Sequence, residues 1–245
     1  MSKTPISSAA FGDTKPHYMI LDGLRGVAAL LVIWYHVFEG FATSPIDQKF
    51  NHGYLAVDFF FILSGFVIGY AYDDRWKTMT VKDFIKRRVI RLHPMVVMGA
   101  VIGAVMFYFQ GCPVWDVTKV TVAALLLATF VNALLIPATP GTEIRGLGEM
   151  YPLNGPSWSL FFEYAGNIGN ILYALIIRKF STKALAVLVV AAGCGLAAFS
   201  IFGPYGDICA GFSLTGTEFT GGFFRLLYAF SAGLLLSRVF RPVGI

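Results

Sequence analysis

With 245 residues, 56% of them hydrophobic, 13% charged and 23 of them Phe, the chain is too apolar and too charge-poor for a soluble domain, in which about a quarter of residues are charged. A net charge of +5 points to nucleic acid only where basic residues line a soluble face. Here they gather in short segments between apolar stretches and read as topology determinants, which leaves an all-α, polytopic transmembrane helical bundle.

In chain order, residues 1–18 are polar, with Lys3, Lys15, Pro5 and Pro16. They lack the short apolar core and small-residue cleavage site of a removed signal peptide, and so read as a cytosolic N-terminal tail ahead of an uncleaved first span. Apolar stretches follow at 24–42, 54–72, 92–110, 117–137, 158–177, 184–202 and 223–237. These are about seven candidate spans, most near the roughly 20 residues that cross about 30 Å of hydrocarbon.

Between the second and third, residues 73–91 carry Arg75, Lys77, Lys82, Lys86, Arg87, Arg88 and Arg91 against Asp73, Asp74 and Asp83, and the excess of Lys and Arg marks a cytoplasmic segment. The same rule puts Arg178, Lys179, Lys183, Arg238 and Arg241 inside, and 203–222 outside. Two full crossings at 92–110 and 117–137 then return the chain to the wrong face. Either one of them is re-entrant, broken or interfacial, or the bases at 178–183 break the rule; the Gly and Pro residues between 111 and 141 favour the first. Cys112, Cys194 and Cys209 are odd in number and scattered, and read as free thiols rather than a disulfide framework or metal site.

An ionisable residue inside a span is costly and marks a functional site by default. Arg25 and His36 lie eleven residues apart, which on a helix is within about 20° of whole turns and a rise of about 16 Å, so they share a face at two depths. His36 lies about 9 Å below the outer end of its span, and Asp58 about 6 Å into the next. Glu163 enters the fifth stretch at a similar depth. Convergence of the three is expected, with His36 as a general base oriented by a carboxylate; a packed, hydrogen-bonded histidine is the blander alternative. Arg88 and Arg91, at i and i+3, are neighbours on one helical surface, suited to lipid phosphate or to a phosphate-rich ligand held by forked guanidinium contacts. His93 precedes Pro94, expected in the first turn of a span, and reads as interfacial; His17 and His52 read as exposed. Trp158 fits an interfacial anchor, and Ser64-Gly65-Phe66 fits close helix packing rather than a nucleophile elbow.

Taken together, Leu21-Asp22-Gly23-Leu24-Arg25-Gly26 through His36, Gly53 through Phe60 and on to Ser64-Gly65-Phe66, Arg88 through Pro94, and Trp158-Ser159-Leu160 through Glu163 resemble the membrane-bound acyltransferase family 3, the integral-membrane O-acyltransferases. Arg225 through Phe230 and Gly233 match more weakly. The resemblance implies an acyltransferase that takes an acetyl or other short acyl group from cytosolic acyl-CoA, as co-substrate with no bound cofactor or metal, to a hydroxyl of a carbohydrate or similar acceptor, in a cell inner membrane. It implies His36 as the essential histidine, Arg25 as its partner, and Arg88 and Arg91 as holders of the donor phosphates. Ser64 and Trp158 would line the site. The family usually has about ten spans, so residues 19–245 would form an acyltransferase domain without its last ones. The rival reading is a proton-coupled transporter of an anionic or sugar-linked solute, with Arg25, His36 and Asp58 along its path; a non-catalytic scaffold is a third.

Overall fold

A computed structural model describes residues 18–43, 47–49, 52–72, 75, 78–111, 119–175 and 181–240. Residues 1–17 of the N-terminal tail, with His17, and also Cys112, Asp73, Asp74, Lys77, Arg178, Lys179 and Arg241 lie outside the described residues. Seven helices are present among them: α1 (Met19–Glu39), α2 (Leu55–Tyr72), α3 (Val81–Gln110), α4 (Val122–Ala133), α5 (Ser157–Leu175), α6 (Thr182–Phe202) and α7 (Gly216–Val239). Of these, α1, α2, α3, α6 and α7 are long and apolar enough to cross a membrane.

Two boundaries differ from those read off the hydropathy. The third helix begins at Val81, not near 92, because Thr80 caps it: its hydroxyl accepts from the Asp83 amide at 3.2 Å while the Asp83 carboxylate accepts from the Thr80 amide at 3.3 Å, a reciprocal box that satisfies two orphan donors. The basic run 82–91 is therefore helical. Pro94 sits well inside the helix rather than in its first turn, where it deprives the Ile90 carbonyl of its donor. At the other boundary, α4 stops after 12 residues, about 18 Å of rise against about 30 Å of hydrocarbon. Leu135 adopts φ 56°, a costly left-handed conformation for a branched side chain, and its carbonyl accepts from the Tyr151 hydroxyl at 2.9 Å. The stretch 117–137 is thus the short one of the two between which the sequence left the choice open.

The bundle is organised on α2 and α7. A Cβ on Gly65 would lie 2.2 Å from the Phe230 carbonyl oxygen, and one on Gly233 1.9 Å from that of Ile62. The two backbones touch directly, an approach only glycine permits, and this is the packing expected of Ser64-Gly65-Phe66. α6 packs on α7, and α3 packs on α4. Residues 134–156, too long for an ordinary connection, fold inward rather than over the surface. Ala138 donates its amide to the Met150 carbonyl at 2.7 Å, and Met150 donates to Phe212 at 2.8 Å. Met150 and Tyr151 join Phe61, Trp158, Phe162 and Leu226 in the core. α1 lies against α2 with Ala28 and Tyr35 buried, while Leu30, Ile33, Trp34 and Val37 face outward, as a lipid-contacting span requires.

Candidate active site

Two cavities open between the helices. The first, of about 300 Å³, is lined by Arg25 from α1, Ser64 from α2, Arg88 and Arg91 from α3, and Glu163 from α5. Arg88 is buried and donates through Nη2 to Glu163 Oε1 at 2.6 Å and to Ser64 Oγ at 3.2 Å; Ser64 in turn donates to the same carboxylate oxygen at 2.8 Å. Arg25 pairs with Asp22 one turn earlier. Three guanidiniums against one carboxylate on the wall make this cavity electropositive.

The second, of about 610 Å³, is lined by His36, Glu39, Tyr54, Arg145, Glu149, Trp158 and Arg225 among others. Val57 lines both cavities, so they share a wall. His36 Nδ1 lies 2.7 Å from Glu39 Oε2; with Nδ1 as donor, the neutral ring carries its lone pair on Nε2. Arg145 Nη1 lies 3.5 Å from Glu149 Oε2 and donates to the Pro152 carbonyl at 3.2 Å. Burial pushes the Glu149 carboxyl above the usual carboxylate range, a shift that Arg145 opposes. Cys209 also lines this cavity; its thiol lies 3.7 Å from the Tyr35 hydroxyl, and burial pushes it up to about 11.

Beneath the second cavity lies Arg225, 1% exposed. Nε and Nη2 donate to the two oxygens of Asp58 at 3.1 and 2.7 Å, Nη1 donates to the Ala210 carbonyl at 2.8 Å, and Nη2 also donates to that of Tyr54 at 2.9 Å. The guanidinium lies over Trp158 with 5.0 Å to the ring centroid, and over Tyr54 with 5.4 Å, two cation–π contacts. The Tyr54 hydroxyl donates to Asp207.

The expected meeting of His36, Asp58 and Glu163 does not occur. Asp58 commits both oxygens to Arg225, Glu163 turns into the first cavity toward Arg88, and His36 finds its carboxylate on its own helix. Depth along a helix places residues in a layer, but the direction each side chain takes around the axis decides which neighbour it meets. Arg25, Arg88 and Arg91 do line one cavity, with Ser64 at its wall, and Trp158 lines the other. His93 is carried inside α3, where Nδ1 lies 3.5 Å from the Tyr164 hydroxyl. Three residues of the site escaped the sequence reading, and a fourth, Arg225, entered it only in a weaker match to the family, with no role given. Glu39 carried a signal, since i+3 on a helix is a neighbour. So did Arg225, an arginine within an apolar stretch. Arg145 and Glu149 carried none, because they lie in a long connection with no periodicity.

A family profile described as "Acyltransferase domain" matches residues 20–243. Among curated proteins, "Protein 2 in picA locus" of Rhizobium radiobacter is 36% identical over 164 residues, covering 64% of this chain and 81% of that one. "Acyltransferase MdmB" of Streptomyces mycarofaciens is 31% identical over 177 residues, covering 67% and 41%. "Peptidoglycan O-acetyltransferase OatA" of Listeria monocytogenes serovar 1/2a is 33% identical over 92 residues, covering 36% of this chain and 14% of that protein. The chain thus spans under half the length of the latter two. No solved structure matches it.

Proposed function

Because the chain belongs to the acyltransferase family 3 and is a multi-pass membrane protein, we propose that it is an integral-membrane O-acyltransferase that moves an acetyl or other short acyl group from acyl-CoA to a hydroxyl of a carbohydrate or similar acceptor. The reading rests on one observation above all: an imidazole paired with a carboxylate on the wall of a large cavity that adjoins an arginine-lined one.

The donor's phosphates sit among Arg25, Arg88 and Arg91, held by charge-assisted and forked contacts. The thioester arm runs past Val57 toward His36, across the rise of about 16 Å that separates Arg25 from His36 along α1. His36 Nε2 takes the proton of the acceptor hydroxyl as its oxygen attacks the thioester carbonyl. The tetrahedral intermediate collapses with cleavage of the C–S bond, and the imidazolium returns the proton to the departing thiolate. Glu39, at Nδ1, fixes the tautomer and stabilises the imidazolium, the role that the sequence reading assigned to Asp58 or Glu163. A route through a transient acyl-histidine uses the same residues, and trapping labelled acyl on the protein without acceptor distinguishes it. The basic residues around the N-terminal half of α3 support a reading in which the first cavity faces the cytosol, the N-terminus is cytoplasmic and the membrane is an inner one.

Proteoliposomes with labelled acetyl-CoA on the arginine side test the reading. Label appearing on an acceptor with wild type, and not with R88A/R91A, supports it. A labelled solute carried across the bilayer unchanged supports the proton-coupled transporter instead.

A further inference from the structure

The two cavities carry opposite charge. The first has Arg25, paired with Asp22, together with Arg88 and Arg91 against Glu163, which leaves it net positive. In the second, Asp58 neutralises Arg225, which leaves Glu39 and Glu149 against Arg145, a net negative wall when His36 is neutral. Within that wall Glu39 is turned to His36, and the Arg145–Glu149 pair lines the same cavity beside it.

The pair sits on a hydrogen-bonded arch. The Glu143 carboxylate accepts from the amides of Arg145 at 3.0 Å and Gly146 at 2.6 Å; the Pro152 carbonyl holds the Arg145 guanidinium. Backbone bonds from Ala138 to Met150 and from Met150 to Phe212 tie the arch to the core. The contact between the two side chains, at 3.5 Å, is longer than the forked one between Arg225 and Asp58 at 3.1 and 2.7 Å. At that separation Nη1 and Oε2 are in direct contact, so a ligand meets the pair on its cavity-facing side, where both residues line the wall.

We infer that Arg145 and Glu149 form the acceptor subsite of this cavity: an uncharged polyhydroxyl acceptor donates one hydroxyl to Glu149 and accepts from Arg145 at a second oxygen, and an acceptor bearing a carboxylate or phosphate is excluded. The inference rests on the acyltransferase reading for the term acceptor, and on the charge and geometry of the wall for its chemistry. A second anion brought beside the exposed Glu39 and the part-buried Glu149 meets two like charges, whereas a neutral diol meets a donor and an acceptor already in place. The enclosure that pushes the Glu149 carboxyl upward adds to the cost of that second anion.

Matched probes test it. p-Nitrophenyl β-D-glucoside and p-nitrophenyl β-D-glucuronide differ only in a CH2OH group replaced by a carboxylate. Their binding to the full chain in lipid nanodiscs is measured by equilibrium dialysis. Wild type is expected to bind the glucoside at least tenfold more tightly. E149Q, with a monodisperse elution profile as fold control, narrows that preference below threefold, and R145M weakens the glucoside at least fivefold. Equal affinities in wild type, binding of neither probe, or an unchanged preference in E149Q overturns the inference, and the wild-type comparison decides by itself if E149Q does not fold. His36-dependent acetyl transfer on the same sample separates the two ideas. Transfer without probe preference overturns this inference alone; probe preference without transfer overturns the acyltransferase reading alone.

Discussion

Arg225 on α7 and Asp58 on α2 meet in a two-point ion pair, Nε to Oδ1 at 3.1 Å and Nη2 to Oδ2 at 2.7 Å. It joins the same two helices that Gly65 and Gly233 bring into backbone contact. The remaining guanidinium donors are met by the Ala210 and Tyr54 carbonyls, so the buried charge is both paired and solvated by the protein, the condition under which such a pair is tolerated. Tyr54 and Trp158, which flank the guanidinium, also line the His36 cavity. The pair therefore supports the wall on which the imidazole sits.

R225M leaves the part-buried Asp58 without its partner, and the expected loss is up to about 3–5 kcal/mol. D58L/R225M, which removes both charges, is expected to recover a large part of it. Thermal unfolding of the single and double variants in one detergent measures both, and a double variant no more stable than the single one contradicts the pairing.

Gly233→Ala places a methyl group 1.9 Å from the Ile62 carbonyl oxygen. The helices must separate, at a cost of about 1–3 kcal/mol. Gly23 has no atom near a would-be Cβ, so G23A is expected to hold or raise the melting temperature. Equal melting temperatures for the two variants contradict the contact.

Arg88 and Arg91 should separate experimentally. Arg88 is buried against Glu163 and Ser64, whereas Arg91 is exposed on the helix surface but lines the same cavity. R91A is expected to weaken acetyl-CoA binding about tenfold or more with little change in melting temperature. R88A lowers both, because it strands a carboxylate. Binding isotherms with a melting curve on each variant check this, and an R91A that binds donor as wild type does contradicts the placement of the phosphates.

How much of this was legible in the sequence varies by element. The apolar stretches fall on the seven helices, and the glycine at 65 declared a close contact. Arg25, Arg88 and Arg91 could be grouped from spacing and charge. The start of α3 was misjudged because hydropathy marks where a helix turns apolar, not where Thr80 and Asp83 cap it. The carboxylate partners were misassigned because depth was known and azimuth was not: Glu39, three residues from His36, outcompetes Asp58, which Arg225 holds. Arg145 and Glu149 reach the cavity through a folded connection that tertiary contacts alone position.

The Glu149 carboxyl is raised by burial, with Glu39 and Glu143 adding to the shift and Arg145 and His36 opposing it. A raised folded-state value means that stability is full below the unfolded value, near 4.3, and is lost as pH rises through the folded one. E149Q lacks that loss. Its melting temperature relative to wild type is therefore expected to climb from acid toward neutral pH; a constant difference across that range contradicts the burial of the charge.

The most direct measurement is acetyl transfer by His36→Ala at saturating acetyl-CoA, with donor affinity determined on the same folded sample. A fall of about 100-fold or more, with the donor dissociation constant within twofold of wild type, is the expected result. Transfer within threefold of wild type, in protein that still binds donor, would show that the imidazole on that cavity wall does no chemistry.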